Sequence, residues 1–188
     1  MLKKLSVIAM IFVAFFAVSV NAGQETMYFG GSLYNIHSEI VDLDDLSDDK
    51  LDMIGGSGFF GFWISEHLSV EGRFGLGLTD ERADGITFNA DYVASAFFRG
   101  SMFIEEGSIY LLAGISNAQI GWENSWQSDS ENATDFSYGI GIDYNLSESN
   151  SLGIEYICIF DDKNIGDDDT IKYNTDISTV GIVFKHSF

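Results

Sequence analysis

Val180-Gly181-Ile182-Val183-Phe184-Lys185-His186-Ser187-Phe188 closes the sequence on an aromatic residue inside an alternating segment. Counting back from Phe188, the residues His186, Phe184, Ile182 and Val180 share a mostly apolar face. Ser187, Lys185, Val183 and Gly181 share a smaller, more polar one. Period-two alternation of this kind reads as a β-strand with one face in an apolar medium. Left as a free apolar edge, it would invite pairing with another chain. Barrel closure removes that edge, so the segment predicts a partner strand elsewhere in the same chain.

The opposite end sets the compartment. Lys3 and Lys4 precede an apolar run over 5–20, and Val20-Asn21-Ala22 fits a small-residue cleavage site. We read 1–22 as a cleaved signal peptide and 23–188 as a single barrel domain; an uncleaved membrane anchor is the alternative. Removing Lys3 and Lys4 takes the formal charge from −20 to −22. Acidity of this size suggests disorder where aromatics are scarce, but 14% aromatic content and regular alternation argue for an ordered fold with its acid segregated. It also disfavours nucleic acid as a partner, because phosphates would be repelled. Cys158 is the only cysteine and has no internal disulfide partner; it reads as a small apolar strand residue. Proline is absent, as suits strands that must complete their hydrogen bonds on both sides.

Alternation predicts eight strands, at 26–37, 54–65, 68–79, 86–104, 108–118, 135–146, 151–161 and 171–188. Tight turns at 65–67, 105–107 and 147–150 alternate with longer acidic linkers at 38–53, 80–85, 119–134 and 162–170. Short turns on one rim, long loops on the other and an even strand count describe an eight-stranded antiparallel up-and-down transmembrane β-barrel. The faces agree. Leu68, Val70, Phe74, Leu76 and Leu78 alternate with Ser69, Glu71, Arg73, Gly75 and Gly77, and Phe136, Tyr138, Ile140, Ile142 and Tyr144 alternate with Ser137, Gly139, Gly141 and Asp143. Leu152, Ile154, Tyr156, Cys158 and Phe160 form a third greasy face. A soluble barrel needs apolar side chains inside; here the small and charged face is the one that fits a narrow interior. Ile157, Ile159 and one of Phe97 and Phe98 interrupt the pattern, and the first strand has no clear orientation.

Gly61-Phe62-Trp63-Ile64-Ser65-Glu66-His67-Leu68-Ser69-Val70-Glu71-Gly72, Tyr138-Gly139-Ile140-Gly141-Ile142-Asp143-Tyr144, Ser151-Leu152-Gly153-Ile154-Glu155-Tyr156 and terminal Phe188 together resemble the small eight-stranded bacterial outer-membrane barrels: OmpX-type proteins, the OmpA transmembrane domain and the opacity-like proteins. The resemblance spans nearly all of the chain after residue 22. It implies a bacterial outer-membrane address, contact with outer-membrane lipid and lipopolysaccharide, and handling by the barrel-assembly machinery through a carboxy-terminal signal carried by Phe184 and Phe188.

Parity places Glu71, Arg73, Asp91, Arg99, Asp143, Glu155 and Lys185 in the interior, where unpaired charge is costly. They are expected to form an ionic plug; a proton or ion path is the functional alternative. The linkers hold more than half of the acidic residues. Asp44, Asp45, Asp48 and Asp49, with Asp167, Asp168 and Asp169, are weak candidates for divalent cations, since they lack the ordered ligand positions of a dedicated loop. Trp122 and Trp126 suit interface anchoring or ligand contact. Some barrels of this size modify lipid A with a histidine, a serine and an acid near the outer rim, and only His37-Ser38-Glu39 lies at that end. Adjacent strand residues point to opposite faces, which is poor geometry for a base and its nucleophile. The expectation is a monomeric, non-enzymatic barrel without cofactor, acting in envelope structure or surface interaction through an unidentified extracellular ligand. A lipid-modifying enzyme and a narrow channel are the rival classes.

Overall fold

The computed structural model of the protein describes residues 27–42, 48–83, 86–123, 128–165 and 173–188. These form strands β1 (Met27–Asp42), β2 (Asp48–Trp63), β3 (Leu68–Gly77), β4 (Glu81–Ala83), β5 (Ile86–Ile104), β6 (Gly107–Glu123), β7 (Ser128–Asn145), β8 (Asn150–Ile165) and β9 (Tyr173–Ser187), with no helix among the described residues. Their order is β3-β2-β1-β9-β8-β7-β6-β5-β4, and β3 also pairs with β5, which closes the sheet. All pairings are antiparallel. The short β4 continues the position of β3 beside the upper part of β5, so the wall has eight staves.

The terminal strand finds the partner its alternation requires. β9 pairs with β1 from Tyr28↔Ser187 to Asp42↔Tyr173. Phe188 then extends the closure: its amide donates to the Met27 carbonyl at 3.1 Å, and its ring lies 5.4 Å from Phe29 and 5.1 Å from His186. The amino-terminal residues before Met27, including the expected cleavage site, lie outside the described residues.

Facing follows the expected parity on most staves. Phe136, Tyr138, Ile140, Ile142 and Tyr144 are 43–59% exposed on the outer surface, whereas Ser137 and Asp143 are buried inside. At a rise of about 3.3 Å per residue and a tilt near 40°, that outward run covers roughly 20 Å of barrel height, close to the apolar band of an outer-membrane barrel. β1 is now oriented: Tyr28, Ser32, Ile36 and Ser38 are buried, while Phe29 and Leu33 are exposed. The ambiguity arose because this strand sends bulky side chains both ways.

Two irregularities depart from simple alternation. In β5 the pairing skips Asp91, between Ala90↔Ile120 and Tyr92↔Gln119. The extra residue turns outward, which removes Asp91 from the interior where parity had placed it. In β8 the register shifts between Cys158 and Phe160 and again before Lys163. Phe160, expected on the lipid face, is consequently 0% exposed and packs with Ile157 and Ile159 in the interior cluster. The acidic linkers are also shorter than expected: β1 and β2 pair up to Val41↔Asp48, and β6 and β7 up to Glu123↔Ser128. Much of each linker is therefore hairpin ladder.

Glycines set how tightly the inner rings lie against the wall. Tyr28 is followed across the ladder by Gly61, and Tyr110 by Gly141. A Cβ on either glycine would overlap the facing tyrosine ring. Gly72 points outward with nothing within 4 Å of an added Cβ. Gly141→Val should lower the stability of the refolded barrel by about 1–3 kcal/mol through overpacking, read as a fall in urea midpoint in detergent, while Gly72→Val should leave it nearly unchanged.

Candidate functional site

Six charged side chains on five staves meet inside the half of the barrel nearest the tight turns. Glu71 and Arg73 come from β3, Arg99 from β5, Asp143 from β7, Glu155 from β8 and Lys185 from β9; each is at most 8% exposed. They converge because each stands on the small, polar face of its strand, and closure of an eight-stranded wall leaves only a narrow interior for those faces to share.

Arg73 is the hub. Its Nε donates to Glu71 Oε1, its Nη1 donates to Glu155 Oε1, and its Nη2 donates to Glu155 Oε2 at 2.7 Å. Asp143 Oδ2 accepts from both Arg99 Nη2 and Lys185 Nζ, each at 2.6 Å. Arg99 Nη1 stands 3.8 Å from Glu71 Oε2 and joins the two halves. Three carboxylates thus face three cations, and the group is neutral as a whole. Two tyrosines complete it: the Tyr28 hydroxyl donates to Glu71 Oε2 at 3.0 Å, and that of Tyr110 donates to Glu155 Oε2 at 2.9 Å. The Arg99 guanidinium lies 3.5 Å from the Tyr110 ring centroid, and Arg73 lies between Phe59 and Phe97 at 5.1 and 5.5 Å. Aromatic faces thereby contact the cations where hydrogen bonds do not.

Tyr28 and Tyr110 were not among the residues singled out from the sequence. The signal was present as tyrosine facing glycine across a ladder, which marks a ring lying flat on the wall and directed inward.

Above the charges, toward the loop end, lies an apolar layer of Ile36, Met53, Phe97, Leu112, Ile157, Ile159, Phe160 and Ile177, with Ala90 and Ala118 at its edge. Between the two layers is a cavity of about 30 Å³ bordered by Ser32, Ser57, Ser95, Thr179, Arg73 and Glu155. That volume holds one or two water molecules. Charged and apolar layers therefore fill the lumen in series.

The remaining sequence candidates lie elsewhere. Asp91 faces outward, accepting from Asn89 Nδ2 at 3.2 Å. Phe184 and Phe188 are exposed on the outer surface, at 43% and 60%. Asp44, Asp45, Asp167, Asp168 and Asp169 lie outside the described residues, as do the side chains of Asp48, Asp49 and Trp122 and all of Trp126. Among the described residues no group of three His, Cys, Asp or Glu is spaced to hold a metal ion. His37 Nδ1 pairs with exposed Asp52 Oδ1 at 2.9 Å, while Ser38 is buried on the opposite face of β1. His186 Nδ1 is 2.9 Å from Asn150 Oδ1 at the other rim.

Removing one member of a buried ion network leaves its partners charged and unpaired, at a cost of about 3–5 kcal/mol, whereas replacing both members of a pair by apolar groups is often close to neutral. Arg73→Met should therefore destabilise the barrel by several kcal/mol (~3–5). The double variant Arg73→Met with Glu155→Met, which leaves Glu71 and Asp143 against Arg99 and Lys185, should recover most of that loss in urea unfolding in detergent.

The chain matches the outer membrane protein beta-barrel domain family over residues 8–185. No curated protein gives a significant sequence match. Among solved structures it is similar to Neisserial surface protein A, with a TM-score of 0.64 at 14% identity, covering 86% of this chain and 97% of that one. It is also similar to Ail, the attachment invasion locus protein of Yersinia pestis, with a TM-score of 0.51 at 20% identity, covering 85% and 99%. A third is OprG from Pseudomonas aeruginosa, with a TM-score of 0.50 at 10% identity, covering 85% and 94%. With its closed eight-stave wall and inside-out faces, this chain belongs to the outer membrane protein beta-barrel domain family and resides in the bacterial outer membrane.

Proposed function

We propose that this protein is a non-enzymatic surface-interaction barrel, exported by cleavage of residues 1–22, whose work is done at its acidic, outward-facing loop end. The observation that carries this reading is the filled lumen. Six mutually neutralised charges and an apolar layer occupy the interior in series, so the barrel presents its chemistry outside. The hairpins support it as well. β1 with β2 and β6 with β7 keep pairing beyond the height at which outward residues turn from Leu33 and Ile115 to His37 and Asn117, lifting acidic sequence above the apolar belt. The separation of His37 from Ser38 by the strand argues against a lipid-modifying enzyme. Two structural neighbours are named for attachment and invasion or for the cell surface, which agrees with the same reading.

Purified protein in planar bilayers should give no resolvable conductance steps, and expressing cells should keep an unaltered lipid A acylation pattern. In parallel, expressing cells should adhere to host cells or matrix proteins more than non-expressing ones. Exchanging 43–47, 124–127 and 166–172 for glycine-serine linkers should remove that difference without changing heat-modifiable migration of the barrel. Steady conductance would assign the protein to the channels, and an altered lipid A to the enzymes.

A further inference from the structure

On three neighbouring staves the outward face changes chemistry at the same ladder step. Across β5, β6 and β7 the row Ala96↔Ile115↔Phe136 is apolar, and the next two outward rows are Ala94↔Asn117↔Thr134 and Tyr92↔Gln119↔Asn132. Ile115 and Phe136 are each 59% exposed, so the polar rows begin where the lipid-facing run ends. They stand at the depth of the outer-leaflet headgroups.

The amides in these rows are positioned by their neighbours. The Tyr92 ring stacks on Phe74 of β3 at 6.1 Å, and its hydroxyl lies 2.9 Å from the amide groups of both Asn117 and Asn132. A hydroxyl has one hydrogen to donate. Asn117 Nδ2 donates to the Ala133 carbonyl at 3.1 Å and to Thr134 Oγ1 at 2.8 Å, which leaves its Oδ1 as the acceptor for the tyrosine. Asn132 then completes the bond the other way round, its NH2 donating to the tyrosine oxygen and its carbonyl turned away. Gln119 Nε2 donates to Ser130 Oγ at 2.7 Å. Exposed amides thus stand in fixed orientations on a rigid wall, with the Phe136 ring one row below.

Charge narrows what can lie against them. β5, β6 and β7 contain one lysine or arginine, Arg99, and it is buried in the lumen. Among the described residues of these staves, the exposed charge above the apolar run is Asp91 alone. A phosphate here would meet a carboxylate and no cation. An uncharged group rich in hydroxyls meets side chains that, like itself, both donate and accept. The opposite side of the barrel differs, since exposed Asp52, Asp161 and Asp176 stand there with His37.

We propose that the outward amide rows of β5, β6 and β7 bind the uncharged sugar headgroup of an outer-leaflet glycolipid. Asn132 and Gln119 take the sugar hydroxyls, and the acyl chains lie along Ile115 and Phe136. The site faces along the membrane and is separate from the loop end, so its failure leaves the surface-interaction reading standing.

The probe is diglucosyl diacylglycerol, mixed in equal amounts with phosphatidylglycerol in phosphatidylcholine nanodiscs that hold the full protein. Native mass spectrometry of the released protein should show the glycolipid retained in excess, at low and high salt alike. Asn132→Ala with Gln119→Ala should cut that excess at least about fivefold, through two lost hydrogen bonds, with heat-modifiable migration unchanged. Asp52→Asn on the far side should leave it intact. In the unaltered protein the glycolipid should also shift the side-chain amide resonances of Asn132 and Gln119. Equal retention of the two lipids, an excess of phosphatidylglycerol, loss of the glycolipid at high salt or unshifted amide resonances would each overturn the proposal. So would an undiminished excess in the double variant, or displacement of the glycolipid by soluble maltose at equal concentration, which would make the rows a site for free saccharide.

Discussion

Every backbone amide and carbonyl at bilayer depth must be paired within the protein, and for a sheet this means closure on itself. Eight staves are few, so the circle they make is narrow enough for side chains to fill. From this constraint follow the parity of the strands, the small residues facing inward and the neutral charge network around Arg73. A single interior carboxylate in so narrow a space would be prohibitive, whereas three carboxylates tied to three cations and two tyrosine hydroxyls are tolerated. The network also ties staves far apart in sequence. Arg73 on β3 holds Glu155 on β8, and Asp143 on β7 holds Lys185 on β9, so the interior is fully formed only when the terminal strand has closed against β1.

The same constraint relaxes above the apolar belt. The ladder between β7 and β8 stops at Tyr138↔Cys158, near the end of the outward apolar run at Phe136, while the β6–β7 hairpin continues to Glu123↔Ser128. A wall that must be complete in lipid can open outside it. This division places the charge network in the half nearest the tight turns.

Much of the fold was legible in the sequence because lipid imposes a strict period of two on both faces. Phe136 to Tyr144 announces its orientation without reference to any other strand, and six of the seven residues assigned to the interior by parity do meet there. Asp91 was misplaced because a single extra residue flips parity, and nothing in Asn89-Ala90-Asp91-Tyr92 announces a bulge. Phe160 was misplaced for the same reason in β8. Tyr28 and Tyr110 escape a reading by alternation because the first strand has no clear orientation and 108–118 mixes bulky residues on both faces; the facing glycines Gly61 and Gly141 are the signal in the sequence that their rings fill the interior. Hairpin extensions read as linkers because polar residues on both faces erase alternation once both faces meet water.

The central claim is that the staves have an outer face in lipid and an inner face in a filled, water-poor lumen. Nitroxide labels placed singly at the outward residues 136, 138, 140, 142 and 144 of β7 in bilayers, with accessibility to oxygen and to a water-soluble nickel complex, and the near-isosteric inner variants Ser116→Cys and Ser137→Cys in a Cys158→Ser background, probed with a small water-soluble thiol reagent, test it directly. The claim predicts strong oxygen and weak nickel contact at every outward position and slow reaction at both inner cysteines. Fast reaction at the inner cysteines would show an open aqueous lumen, and strong nickel contact along the outward run would contradict the lipid-facing wall itself.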